Sequence, residues 1–128
     1  MSYLDARTQY RRTQDHALPD TMDPHQIIHV TLSELHRALS VLALAQREGH
    51  PLATERLNKA LTAIYILQSS LDFDQGGEIA TNLFRVYEYT RLQLVAAFQR
   101  APGAALDVAQ AHIGSILEAW RTMPGRTS

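Results

Sequence analysis

The sequence predicts an all-α fold, an antiparallel up-down four-helix bundle with a short N-terminal helix or arm. Three observations carry this. Apolar residues recur at three- and four-residue steps through four long segments, and no segment alternates as a strand would. The linkers between segments are short and hold Gly or Pro, which makes successive helices antiparallel neighbours. At 128 residues the chain can bury one compact core and is too short for two ordinary domains. The expected division is an arm over 1–22, the bundle over 23–124 and a tail over 125–128.

The first helix is expected to open at "TMDPHQ", where Asp23 can cap free backbone amides and Pro24 fills the first helical position without losing a needed donor. Ile27, Ile28, Thr31, Leu35, Leu39 and Leu42 mark its buried stripe until Gly49 and Pro51 stop it. A second helix begins near Leu52 and presents Leu57, Leu61, Ile64 and Leu71, with Glu55, Arg56, Lys59 and Ser70 turned away. The third runs from about Gly77 to Arg100, ahead of Pro102. The fourth uses Leu106, Ala109, Ile113, Ile116, Leu117 and Trp120, and ends near Pro124. Tyr3, Leu4 and Tyr10 punctuate the otherwise polar arm.

Between the second and third helices stands the pair Gly76 and Gly77. A phosphate-binding loop would need a preceding strand and a GK[ST] or G-x-G-x-x-G pattern, and neither is present. The pair reads instead as a structural turn, with Asp72 or Asp74 capping the amides that follow and Glu78 at the positive end of the helix.

The third helix carries more apolar surface than one core stripe requires. At about 100° per residue with Ile79 at zero, Leu83, Val86, Thr90, Leu94 and Ala97 fall within about 60° of it. Phe84, Tyr87, Val95 and Phe98 form a second shoulder at about 80° to 160°. Either a neighbouring helix or the arm covers this shoulder, or it is a groove for an amphipathic partner helix. The partner-binding candidates are Phe84, Tyr87, Val95 and Phe98, with Leu83 and Tyr89 contributing, while Asp72, Gly76, Gly77 and Asn82 are expected to hold the turn and the packing.

Other constellations are weaker. His25, His29 and His36 share one side of the first helix, but His36 lies about 10 Å along the axis from the pair and no H-E-x-x-H pattern accompanies them. No metal site is expected, and the three are read as a solvated polar face. Asp72, Asp74 and Glu78 suit capping better than acid–base work, and Ser69 and Ser70 lack a positioned base. No catalytic residue and no cofactor is therefore assigned. A net charge of -1, with only Arg11 and Arg12 beside Tyr10, argues against a nucleic-acid partner. Cysteine is absent, which removes disulfides and thiolate chemistry. No signal-peptide core and no run near the roughly 20 apolar residues of a membrane span is apparent, so a cytoplasmic protein without membrane insertion is expected.

The stretch "SLDFDQGGEIATNLFRVYEY" closely resembles the signature of FliS, the bacterial flagellin export chaperone family. Ser70, Leu71, Asp72, Phe73, Gly76, Gly77, Glu78, Ile79, Ala80, Asn82, Leu83, Tyr87 and Tyr89 fall in place. The resemblance implies a bacterial cytoplasmic chaperone that binds the disordered C-terminal segment of flagellin, prevents premature polymerisation and assists delivery to the flagellar type III export apparatus. It implies no catalysed reaction, and it names the export gate and assembly regulators as further candidate partners. The start of the first helix departs from the family pattern, with Leu32 where tyrosine is usual and Glu34 where glycine is. The alternative reading is a regulatory adaptor of the same fold that binds another flagellar protein, such as an anti-sigma factor or an assembly regulator.

Overall fold

Asp23 starts the first helix as its position before proline predicts. Its carboxylate accepts from the Gln26 amide at 2.8 Å, and the Gln26 side chain accepts from the Asp23 amide at 3.0 Å, a reciprocal capping box. This residue is also where the computed structural model begins to describe the chain; it covers residues 23–122, and the expected arm and tail lie outside the described residues. The helices are α1 (Pro24–Arg47), α2 (Thr54–Ser69), α3 (Phe73–Phe98) and α4 (Leu106–Thr122). α1 packs against α2 and α4, and α3 closes the ring by packing against the same two. The all-α four-helix bundle is what the periodicity predicts.

Leu32, Leu35, Leu39 and Leu42 of α1 are fully buried and meet Ile64, Leu67, Leu94, Leu106 and Ile113 in one cluster. Each such side chain contributes roughly 2 kcal/mol relative to exposure, so truncating Leu39 to alanine would cost about 2–5 kcal/mol. By length and mean hydropathy of 1.3, α1 could cross a membrane, which the sequence reading did not anticipate. In the fold its apolar stripe is spent on the bundle core.

Two helix ends are built alike. After α1, His50 N donates to Ala45 O at 2.8 Å and Gly49 N to Gln46 O at 3.2 Å, with Gly49 at φ 72°. After α3, Ala101 N donates to Ala96 O at 2.9 Å and Arg100 N to Ala97 O at 3.0 Å, with Arg100 at φ 59°. Both are Schellman turns, but only the first has the glycine such a position favours. The start of α4 is capped from α3, because the Gln93 side chain accepts from Ala105 N at 2.7 Å.

The α1–α4 seam is partly polar. Gln46 donates to the Ala104 carbonyl at 3.3 Å and Gln110 to the Ser40 hydroxyl at 2.9 Å. His36 packs so closely over Gly114 that a Cβ there would stand 3.1 Å from its Nε2. His25, His29 and His36 are half-buried, and His25 and His36 meet α4, so they do not form the solvated face expected of them. A helical stripe that is polar in sequence can still face a neighbour when that neighbour offers a glycine or an aromatic ring to lie on.

α3 departs from its expected stripe. Ile79, placed at the centre of the core face, is 72% exposed, while Ala80 and Tyr87 are buried. Gly77, at φ 50° and ψ −123°, interrupts the helix and offsets its opening turn from the long run that follows. Around the wheel the buried residues Ala80, Tyr87, Thr90, Leu94 and Ala97 centre about 50° from Ile79.

Candidate partner-binding surface

The flank of α3 that borders α2 is fixed by one polar tie. Gln68 of α2 donates to Glu88 of α3 at 3.2 Å, and Arg91 donates through Nε to the same carboxylate oxygen at 3.1 Å while its terminal nitrogen takes the other. Hydrogen bonds from Arg91 and then Gln68 hold the Glu88 carboxyl below its usual range, and the same carboxylate raises Arg91. Phe84, one turn before Glu88, and Val95, two turns after it, lie on the same stripe. The predicted apolar shoulder is therefore the α2-facing flank of α3.

α2 covers that shoulder only in part. Phe84 is 39% exposed and Phe98 50%, with Val95 half-buried between them. Tyr65 stands one turn from Gln68 on α2 and is itself exposed, so it borders the same seam.

The six predicted contact residues do not form one surface. Tyr87, only 3% exposed, belongs to the core rather than to the shoulder, and its burial pushes the phenol up to about 12. The reason is that the core face centres about 50° from Ile79, which brings Tyr87 at about 80° inside it. Leu83 is half-buried against the core cluster. Tyr89 lies on the opposite flank, its ring 5.7 Å from that of His112 on α4. Phe84, Val95 and Phe98 remain as the strip along α2.

One residue of the surface was missed in sequence. The Phe73 ring, 48% exposed, stands 6.0 Å from that of Phe84 at 59°. Its place between the Asp72 cap and the Gly77 break was the signal, since an apolar residue ahead of a glycine break does not share the stripe that follows.

At the turn, Asp72 caps the opening of α3 and Gly76 packs closely on it. The Asp72 carboxylate accepts from Gln75 N at 3.0 Å, its carbonyl accepts from Gly76 N at 2.7 Å, and a Cβ on Gly76 would stand 3.0 Å from that of Ala80. Asn82 is exposed. The shifted equilibria of Tyr87, Glu88 and Arg91 are accounted for by burial and one hydrogen-bonded ion pair, which suits this flank to apolar contact with a polar rim.

Against known proteins, residues 6–127 match the family described as Flagellar protein FliS. The chain belongs to the FliS family. It is 34% identical over 107 residues to the flagellar secretion chaperone FliS of Salmonella typhimurium, covering 82% of this chain and 79% of that protein. The flagellar secretion chaperone FliS of Vibrio cholerae is 29% identical over 116 residues, 90% of this chain and 85% of that one. The flagellar secretion chaperone FliSB of Pseudomonas aeruginosa is 30% identical over 121 residues, 94% of this chain and 96% of its own length. The match takes in all four helices, among them the Asp72 cap, the Gly77 break and the opening of α3 that sets Phe73 against Phe84.

Proposed function

We propose that this FliS-family chain is a non-enzymatic cytoplasmic export chaperone that captures the disordered C-terminal segment of flagellin, keeps it from polymerising and presents it to the flagellar type III export apparatus. The observation that carries this reading is the exposed apolar strip of Phe73, Phe84 and Phe98 along the α2 side of α3. A disordered amphipathic segment gains roughly 25 cal/mol for each Å² of apolar surface it buries there, and folds as it binds. The membership of the family and the names of its relatives support the same reading.

Titration calorimetry of the full chain with a peptide of the last forty or so residues of the cognate flagellin tests it, a length of several helical turns. Saturable one-to-one binding with a negative heat-capacity change is expected. Absence of heat at high micromolar peptide would reject flagellin as the client and move the assignment to an adaptor for another flagellar protein.

A further inference from the structure

A recess lies at one end of the bundle, where the link after α1 meets the end of α3. It encloses about 410 Å³, within the range of about 300–1,000 Å³ typical of ligand pockets. Ala97 is buried and Leu52 half-buried, so they form its inner wall, while Phe98, His50 and Arg100 stand exposed at its mouth. No carboxylate lines it, and Glu48, outside the lining, stands 3.9 Å from His50 rather than on Arg100. The Arg100 guanidinium makes no ion pair among the described residues, and the amide of Gln46, also in the lining, is already donated to Ala104.

We propose that this recess docks a peptide segment in which a large aliphatic side chain stands beside carboxylates. The aliphatic group enters against Leu52, Ala97 and Phe98, and a carboxylate meets Arg100. An unpaired cation at the mouth of an apolar recess selects this chemistry: a neutral apolar peptide leaves the guanidinium unused, and a basic one is repelled by it. The fold holds this cation at a helix terminus where glycine is ordinarily favoured, so the charge has a fixed backbone position. The recess shares Phe98 with the strip along α2 but does not depend on flagellin being the client.

Amide chemical shifts of the isotopically labelled full chain, titrated with a blocked Glu-Leu-Glu peptide and with its Gln-Leu-Gln twin, test the proposal. Saturable shifts are expected at Leu52, Phe98 and Ala101, with affinity lower by roughly tenfold for the glutamine peptide, the size of one charge-assisted hydrogen bond. Arg100→Gly, which the turn geometry accommodates, should weaken the glutamate peptide to the same degree, and Arg100→Lys should restore part of the difference. Absence of shifts at millimolar peptide, or equal affinity for the two peptides, would overturn it.

Discussion

The indole nitrogen of Trp120 donates to the backbone carbonyl of His25 at 3.2 Å, and the His25 ring lies on the indole at 4.6 Å with 17° between the planes. The last turn of α4 is thereby fastened to the first turn of α1. Trp120→Phe keeps a stacking ring and removes the donor, so a loss of about 1 kcal/mol is expected in urea unfolding followed by circular dichroism. Trp120→Ala also removes the packing and should cost about 3 kcal/mol. Hydrogen exchange should localise the first effect to the opening turns of α1; uniform loss of protection would show that the contact is not a local tie.

Tyr87 gives the bundle an alkaline limit. Its phenol is pushed from the ordinary value of 10.0 up to about 12 by burial alone, so the folded state keeps a proton that the unfolded chain releases first. The contribution is complete below pH 10 and drains away as the pH rises toward 12. By pH 11 the loss is about 1 kcal/mol relative to neutral pH. Tyr87→Phe removes this dependence, so between pH 8 and pH 11 the unfolding free energy from urea titration should fall by about that amount more for the parent than for the variant. Parallel decline of both would assign the alkaline loss to other groups.

Gly49 and Arg100 occupy equivalent positions after α1 and α3, and the difference between them is measurable. A residue with Cβ costs about 1–2 kcal/mol in this left-handed conformation, partly offset by the greater freedom of glycine in the unfolded chain. Arg100→Gly should therefore stabilise the protein by about 0.5–1 kcal/mol. Gly49→Ala should destabilise it by about 1 kcal/mol, and this loss is conformational, because an added Cβ meets nothing within 4 Å. Opposite shifts of the two thermal midpoints are the expected result; an unchanged midpoint for Arg100→Gly would mean that the arginine makes contacts that match its backbone cost.

How far the sequence discloses this molecule depends on which physical rule is in play. Asp23 followed by Pro24 marks the start of α1, because capping chemistry is local and leaves its residues side by side. The leucines of α1 mark the core, because their spacing is set by the helix itself. Ile79 misleads for the opposite reason: its angle falls at the edge of the buried stripe, but it stands in the first turn after Gly77, and a wheel does not show how far the neighbouring helices reach along the axis. Tyr87 misleads because a wheel gives angles without a reference direction, and only Gln68 bonding Glu88 shows which angle faces α2. His36 lying over Gly114 depends on the register of two helices, which neither helix carries by itself.

That correction separates two substitutions that the helical wheel treats alike. Phe84 and Phe98 have 39% and 50% of their surface exposed, whereas Tyr87 has 3%. Phe84→Ser and Phe98→Ser remove apolar contact area for a partner while the core stays filled, so their unfolding free energies should stay within about 1 kcal/mol of the parent. Each should weaken the flagellin peptide in calorimetry by roughly tenfold, the effect of losing one well-packed contact residue. Tyr87→Ser instead leaves a cavity in the core cluster that also holds Leu94 and Ala97, and should cost about 3–5 kcal/mol, comparable to truncating a buried phenylalanine. Its binding defect, if measured at a temperature where the fold survives, should be smaller than that of Phe84→Ser. The reverse order would place Tyr87 in contact with the partner and require the α2–α3 seam to open on binding.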